Sequence, residues 1–185
     1  MGAPIGPFTT ARLTLRAFEP RDLDGFDAVN GDPVVMEHMP GVIAREDTAG
    51  WLERDGERTR KGEDAYLAVE RAADGVFLGA VGLKPITFEK HFPETHEIGW
   101  RFRHLAWGQG YATEAARAML DFGFAVKGLD AIIAFTVPAN TRSQAVMQRL
   151  GMVRRPDYDF DHPMLPEDHR LRRHIVYRLA RPGPA

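Results

Sequence analysis

The sequence of 185 residues contains no cysteine. This absence excludes a disulfide framework, a thiol nucleophile, a cysteine zinc site and a redox thiol. Long hydrophobic runs are also missing. Apolar stretches such as residues 131–137 are far shorter than the roughly 20 residues that a membrane-spanning helix needs. The sequence therefore predicts a protein without a membrane span and without thiol chemistry.

Neither sign of charge dominates, because 24 lysines and arginines are balanced by 26 aspartates and glutamates, for a net charge of −2. This balance argues against a protein that coats nucleic acid and against a polybasic membrane binder. The first seven residues lack a basic region followed by an apolar one, so we expect no signal peptide and a cytoplasmic location. The length and composition are typical of one globular domain, which we place at residues 8–181.

Apolar periodicity predicts a mixed α/β chain. The predicted order is one strand, two helices, three strands, a helix, a strand, a helix and two strands. The clearest helix covers residues 110–127, and a strand over residues 97–102 precedes it. We expect the apolar stripe of this helix to be core, with these members: Tyr111, Ala115, Ala118, Met119, Phe122 and Val126.

The strongest local motif, Trp107-Gly108-Gln109-Gly110-Tyr111-Ala112 followed by Thr113, connects that strand to that helix. Two glycines let the backbone approach a ligand closely, and a helix N-terminus offers free N–H groups and a positive dipole end. The motif predicts a phosphate-binding loop, with a tight turn that binds nothing as the alternative. It is neither a P-loop nor a dinucleotide fingerprint, because neither spacing is met.

Several segments in order resemble the GNAT acetyltransferase superfamily and, within it, the Rim-type ribosomal-protein N-terminal acetyltransferases. They are residues 97–102, 107–112, 113–126 and 131–136, then Asn140-Thr141-Arg142-Ser143 and Leu150-Gly151-Met152, with residues 10–16 at the start. The resemblance covers nearly the whole chain. It implies a bent, mostly antiparallel sheet of about seven strands with a splayed central parallel pair, flanked by about four helices.

The resemblance also implies acetyl-coenzyme A as donor and an amine as acceptor. The family pyrophosphate loop has the pattern Gln/Arg-x-x-Gly-x-Gly/Ala, which Gly110 and Ala112 match, whereas Trp107 replaces the first residue. Backbone groups of the strand would contact pantetheine and the thioester carbonyl. The donor-binding residues implied are Trp100, Arg101, Phe102, Trp107, Gly108, Gln109, Gly110, Tyr111, Ala112, Thr113, Asn140 and Ser143.

Two side chains match catalytic positions of the family. Glu97 matches a carboxylate that can take a proton from the amine when a partly desolvated cleft raises its pKa; the alternative is a strand glutamate facing solvent or paired with arginine. Ser143 matches a serine near the thiol; the alternative is a helix N-terminal residue that satisfies backbone groups. Many relatives have a tyrosine that acts as the general acid where Met147 stands. The general acid here is therefore open between Ser143 and a water. Strand alternation points His96 away from Glu97.

The segment Asp157-Tyr158-Asp159-Phe160-Asp161-His162-Pro163 lies where relatives have an acceptor-binding loop. An acidic, aromatic rim would suit a cationic amine, and Phe160 and His162 join Glu97 as predicted acceptor contacts. The alternative is a solvated charged loop. The basic run at residues 170–174 is expected to flank the last strand, with coenzyme A phosphates as an alternative partner.

Three functions remain open. The first is an N-acetyltransferase working by direct attack in a ternary complex; the branch resemblance favours a protein N-terminal α-amine over small amines, polyamines or antibiotics. The second is a non-catalytic acyl-CoA-binding module. The third is a ribosome or protein contact through residues 157–173. Histidine spacing predicts no metal site. Relatives often form homodimers, but the sequence carries no independent signal for one.

Overall fold

The computed structural model describes residues 3–88 and 90–183. In chain order the elements are β1 (Phe8–Thr9), β2 (Leu13–Arg16), α1 (Leu23–Asn30), α2 (Arg45–Arg60), β3 (Tyr66–Arg71), β4 (Phe77–Pro85), β5 (His96–Phe102), α3 (Tyr111–Ala125), β6 (Ala131–Thr136), α4 (Thr141–Arg149), β7 (Val153–Arg154), β8 (Phe160–Asp161) and β9 (Arg173–Ala180). No helix in these ranges has both the length and the apolar composition needed to cross a membrane.

The strands form one sheet with the order β1-β2-β3-β4-β5-β6-β9-β7, and β8 pairs with β9. Neighbours are antiparallel except for the central pair β5–β6. The predicted mixed α/β fold, with its parallel pair and four α-helices, is confirmed. The described residues contain nine strands rather than about seven. The two additional strands, β1 and β8, have two residues each, which is too short for an alternating pattern to show.

The parallel strands β5 and β6 pair over a very short length and then diverge. Glu97 and Ile133 are its single register pair in the described part of the chain. Hydrogen-bond directions alternate along an antiparallel strand, and the Arg103 N–H donates to the Leu78 carbonyl of the β4 side. The backbone groups of Trp100 and Phe102 therefore point away from β4, toward the gap between β5 and β6.

The core lies on both faces of the sheet. On one face α3 and α4 cover a large apolar cluster that includes Tyr111, Ala115 and Met119. On the other face α1 and α2 cover a smaller aromatic cluster around Phe18 and Phe26. Most of the predicted stripe on α3 is packed against the core, but Val126 is 72% exposed. The prediction was wrong there because α3 ends at Ala125, so Val126 leaves the buried face.

Candidate active site

A cavity of about 550 Å³ opens at the gap between β5 and β6. We call it the donor cavity. β5, the loop before α3, the first turn of α3 and the start of α4 line it. Eleven of the twelve predicted donor-binding residues line it: Trp100, Arg101, Phe102, Trp107, Gly108, Gly110, Tyr111, Ala112, Thr113, Asn140 and Ser143. Gln109 does not, because its side-chain amide donates to the Leu105 carbonyl at 3.0 Å.

The loop before α3 needs glycine at two positions. Gly108 has φ +74° and Gly110 has φ +81°, a left-handed conformation that disfavours other residues. Gly110 is the N-cap of α3. The N–H groups of the first turn of α3 have no acceptor within the helix and carry the positive end of its dipole. Since this turn lines the donor cavity, the loop presents an anion-binding helix N-terminus to it.

A group that the sequence did not reveal supports this loop from the first hairpin. The Arg12 Nη1 donates to the Gln109 carbonyl at 2.9 Å, and the Arg12 Nε donates to Glu114 Oε2 at 2.7 Å. Thr10 Oγ1 donates to Glu114 Oε1 at 2.6 Å. The Arg12 Cζ lies 4.7 Å from the centre of the Tyr111 ring. We call Thr10, Arg12 and Glu114 the Arg12 brace, because it connects β1–β2 to the loop and to α3.

Trp107 occupies one of the backbone groups at the gap. Its indole Nε1 donates to the Phe102 carbonyl at 2.9 Å, which leaves the backbone groups of Trp100 and the N–H of Phe102 to face the donor cavity. The Arg142 Cζ lies 4.9 Å from the centre of the Trp107 ring. Arg142 and Arg149 of α4 both line the donor cavity, so two positive charges line the same cavity as the anion-binding turn.

A second cavity, of about 540 Å³, adjoins the first. We call it the acceptor cavity. Glu97 of β5, Trp51 of α2 and Tyr66 of β3 line one side, and Phe135, His162 and His174 line the other. Six residues line both cavities: His38, Met39, Trp100, Arg101, Asn140 and Ser143. The two cavities therefore meet beside the gap in the sheet.

Glu97 lies in the acceptor cavity with a perturbed acidity. Burial raises the pKa of Glu97 to about 7, and the positive charge of Lys84 opposes this shift. Lys84 itself contacts another acid, with its Nζ 3.7 Å from Asp55 Oδ2. His96 is engaged away from Glu97, since its Nε2 lies 3.1 Å from Asp64 Oδ2. A carboxyl group with a pKa near neutrality can exchange a proton with an amine at physiological pH.

The acidic segment after β7 does not form an acidic rim. Asp157 pairs with Arg155 at 2.6 Å, Asp161 lies 3.4 Å from Arg173, and Asp159 pairs with Arg154. From this segment His162 lines the acceptor cavity. Phe160 lies behind it in a buried cluster with Phe92, Ile133 and Val176. The segment thus places a histidine in the cavity and uses its carboxylates in ion pairs.

The basic run bonds to its own surroundings beside β9. The Arg170 Nη2 donates to the Glu37 carbonyl at 3.0 Å, and the Arg172 Nη1 donates to the Leu165 carbonyl at 2.9 Å. His174 stacks on Phe160, with ring centroids 5.4 Å apart. These contacts put the run near the acceptor cavity and the segment that covers it, in keeping with a flank of the last strand.

The model of the Acetyltransferase (GNAT) domain matches residues 12–153. The chain belongs to the GNAT acetyltransferase family. It is 36% identical over 150 residues to the uncharacterized N-acetyltransferase YnaD of Bacillus subtilis (strain 168), covering 79% of this chain and 82% of YnaD. Membership in this family makes the protein an acetyl-CoA-dependent acyltransferase.

Solved structures share the fold along most of the chain. A GNAT acetyltransferase from Bacillus anthracis is 30% identical, with a TM-score of 0.76 over 94% of this chain and 97% of that one. RimL, a ribosomal L7/L12 α-N-protein acetyltransferase in complex with coenzyme A, is 15% identical, with a TM-score of 0.73 over 94% of this chain and 97% of that one. At that identity the likeness shows the fold alone, so the GNAT family is established and the Rim-type branch is not.

In this GNAT fold, the start of α4 lies where the cavities meet. Asn140 caps the helix: its Oδ1 accepts the Ser143 N–H at 3.1 Å, and its Nδ2 donates to Thr136 Oγ1 at 3.0 Å. The cap therefore uses the backbone of Ser143 and leaves its hydroxyl for another partner. One turn later Met147, which is 1% exposed, lines the acceptor cavity and has no proton to give.

Two residues of the acceptor side were not singled out from the sequence. Tyr66 reaches across β4, and its hydroxyl lies over Gly99 of β5, where any side chain would collide with it. Trp51 packs edge-on against Tyr66, with ring centroids 5.6 Å apart.

Within residues 3–88 and 90–183, no group of three or more histidine, aspartate and glutamate side chains is placed to hold a metal ion.

Proposed function

We propose that this protein moves an acetyl group from acetyl-CoA to a primary amine by direct attack in a ternary complex, within one domain that spans residues 8–181. The observation that carries the proposal is the meeting of two cavities beside Glu97. One cavity has an anion-binding helix N-terminus, and the other holds a carboxyl group whose pKa is about 7. Neither a plain turn nor a solvated strand glutamate explains both features.

The donor cavity suits each part of acetyl-CoA. The N–H groups of Tyr111, Ala112 and Thr113 would hold the pyrophosphate, with Arg142 and Arg149 nearby as counter-charges. The backbone groups of Trp100 would bond the pantetheine arm in the place that a continuous β6 would otherwise occupy. Asn140 retains a second amide hydrogen and a second lone pair for the same arm. The contacts are mostly backbone ones, so Trp107 can replace the usual first residue of the loop.

The reaction needs two proton transfers. Glu97, directly or through a water, takes a proton from the ammonium group, and the free amine attacks the thioester carbonyl. A backbone N–H of β5 at the gap stabilises the resulting oxyanion. The C–S bond then breaks, and the leaving thiolate takes a proton from the Ser143 hydroxyl or from a water. That group recovers its proton from the attacking nitrogen, which loses its second proton as the amide forms. The products are the N-acetyl amine and free coenzyme A.

Two acceptor classes fit the proposed reaction. The resemblance to Rim-type enzymes supports a protein N-terminal α-amine. The acceptor cavity supports a small amine instead, because about 540 Å³ is a typical size for a small-molecule site, and the segment containing His38, Met39 and Pro40 covers part of it. These two classes are separated by offering peptides and free amines to the same preparation.

The first test is a thermal-shift measurement with acetyl-CoA, with NAD and ATP as controls. A ligand at 100 times its Kd adds about 2.7 kcal/mol, which for this size is a rise of roughly 5–10 °C. A rise specific to acetyl-CoA leads to an amine panel with thiol release as the readout. No rise at millimolar acetyl-CoA would refute the proposal. Glu97→Gln should keep the rise and lose the thiol release of the wild type. A non-catalytic binding module would show the rise but no thiol release to lose.

A further inference from the structure

Arg101 is a cation without a counter-ion at the junction of the two cavities. It lies on the same face of β5 as Glu97 and Gly99, because side chains alternate along a strand. Its Nη1 donates to Asn30 Oδ1 at 2.6 Å, and its Cζ lies 5.0 Å from the centre of the Trp51 ring. In the described part of the chain no carboxylate pairs with it, and burial lowers the pKa of Arg101.

Arg16 shows how the same fold treats another buried arginine. Its Nη1 and Nη2 each donate to the Asp22 carboxylate at 2.7 Å, and its Nη2 also contacts Glu70. Two carboxylates thus neutralise one guanidinium, and hydrogen bonds to them outweigh desolvation and raise the pKa of Arg16. A guanidinium remains charged in proteins, and a buried charge without a partner is costly. The charge of Arg101 is left for a ligand to neutralise.

The charged groups packed behind the Trp51 and Tyr66 wall of the acceptor cavity do not supply that negative charge. Asp55, the buried acid of α2, is already bonded by Trp51 Nε1 at 2.8 Å, by the Tyr66 N–H at 3.0 Å and by Lys84 at 3.7 Å. Lys84 lies against Trp51 as well, with its Nζ 5.3 Å from the ring centre. Of the two cations on this indole, Lys84 has a carboxylate partner and Arg101 has none.

On the opposite side of the cavity the titratable groups are two histidines. Burial lowers the pKa of both His162 and His174, so both are neutral at physiological pH. Their ring centroids lie 5.1 Å apart. Glu97, with its pKa of about 7, is needed in both protonation states if it accepts the proton of the amine. Among the described residues that line the acceptor cavity, Arg101 is therefore the one side chain with a permanent charge.

We propose that Arg101 binds a carboxylate carried by the acceptor, which makes the acceptor a compact amino acid or a similar amine with one carboxylate. This inference rests on the proposed function and names its substrate class. Guanidinium N–H groups match a carboxylate in geometry. One guanidinium balances one negative charge, whereas a phosphate dianion would need a second free cation. Apolar residues that line the cavity, among them Trp51, Phe135 and Leu165, suit an apolar side chain on that acceptor.

The inference is tested with matched trios of amines. Each trio contains an L-amino acid, its amide and the amine without the carboxyl carbon, for phenylalanine, leucine, methionine and alanine. In at least one trio we expect kcat/KM for the acid to exceed that for the other two about 10- to 100-fold, the range for a hydrogen-bonded charged group. The amide has the less basic amine, so amine basicity alone would favour the amide. Stabilisation of the coenzyme A complex by each compound gives a second readout that needs no turnover.

Three variants assign the preference to the side chain. Arg101→Gln should abolish the preference for the acid, and Arg101→Lys should keep part of it because the charge remains. Arg45→Gln is the matched control: this arginine pairs with Asp27 at 2.9 Å between α1 and α2, lines neither cavity, and its removal should keep the preference. Each variant should still be stabilised by acetyl-CoA, which shows that it is folded and that the donor cavity is intact.

The possible failures are distinct. If acetyl-CoA stabilises the protein but no trio discriminates by charge in either readout, or Arg101→Gln discriminates as the wild type does, the inference is overturned and the proposed function stands. If acetyl-CoA fails to stabilise the protein and no amine releases thiol, the proposed function falls first.

Discussion

The donor and acceptor cavities are of nearly equal size but are built in opposite ways. The donor cavity is lined largely by two short stretches, residues 100–113 and 140–149, and its anion-binding groups are backbone N–H groups at a helix start. The acceptor cavity draws side chains from distant segments, including Trp51, Tyr66, Glu97, Phe135 and His162. The site proposed for the donor is thus built mainly from backbone geometry, whereas the site proposed for the acceptor is built from side chains.

The charges of the two cavities differ as well. Around the donor cavity, Arg142 and Arg149 add to the positive end of the α3 dipole, and both are exposed. In the acceptor cavity, burial shifts the pKa values of Glu97, His162 and His174 toward their neutral forms. A site that exchanges protons needs such shifts, whereas a site that holds phosphates does not.

Glu97→Gln should separate the cavities most sharply. We expect kcat to fall about 10²- to 10⁴-fold, the contribution of a positioned general base, while acetyl-CoA affinity is unchanged. The wild-type rate should rise with pH up to about 7 and then level off, because burial raises the pKa of Glu97 to about 7. Initial rates from pH 5 to 9 check this. A variant with the same pH profile as the wild type would contradict the role of base.

The same variant has an expected effect on stability. The pKa of Glu97 is higher in the folded protein than its ordinary value of 4.5, so the folded state binds more protons between about pH 4.5 and 7. The free energy of unfolding contributed by Glu97 therefore falls as pH rises through that window. Glu97→Gln should melt above the wild type at pH 8, and this gap should shrink at pH 5.5. A gap that grows on acidification would contradict burial as the cause.

Gly110→Val should damage the donor cavity alone. At φ +81° a β-branched residue is strained, so the first turn of α3 must shift. Loss of two N–H bonds to pyrophosphate, each worth about 1.5 kcal/mol, would weaken acetyl-CoA binding about 100-fold. Gly75→Val is the control, since Gly75 has φ +71° in the β3–β4 hairpin. Isothermal titration should show weak acetyl-CoA binding for the first variant and normal binding for the second; equal losses would mean general destabilisation.

Much of the fold followed from periodicity. The strand predicted at residues 131–136 has the observed bounds of β6, and the helix predicted at residues 110–127 is observed as Tyr111–Ala125. Both have enough residues for an apolar pattern to show. β1 and β8 show no such pattern, because each is only two residues long and is defined by its pairing with a neighbouring strand.

The candidate site was predictable only where it is local. The two glycines of the donor loop lie within six residues of sequence, just before a helix, and this local pattern predicts a tight turn there. Arg12 bonds Glu114 across 102 positions, and Tyr66 of β3 lies over Gly99 of β5 across the intervening strand β4, so neither role has a local pattern. The carboxylates at Asp157 and Asp161 suggested an acidic rim because composition does not show which arginines neutralise them.

The Arg12 brace predicts a smaller effect on the same loop. Arg12→Gln removes the bond to the Gln109 carbonyl and the ion pair with Glu114, so we expect KM for acetyl-CoA to rise about tenfold, equivalent to about 1.4 kcal/mol. The kcat at saturating acetyl-CoA should stay near the wild-type value. Arg45→Gln is the control, because Arg45 also pairs with two acids, Asp24 and Asp27, on the α1–α2 side. A fall in kcat at unchanged KM would contradict a positioning role.

The smallest effect is expected for Ser143→Ala, at the boundary between the cavities. A thiol has a pKa of about 8.5, so its thiolate leaves readily and a water can protonate it. We therefore expect kcat to fall only about three- to tenfold, below the usual range for acid–base groups. Stability should not change, because the Asn140 cap accepts the Ser143 backbone N–H, which the variant retains. Asn140→Ala is the control, since loss of an N-cap costs about 1 kcal/mol. An unchanged kcat in Ser143→Ala would mean that a water protonates the thiolate. A drop in melting temperature equal to that of Asn140→Ala would instead make Ser143 a part of the cap.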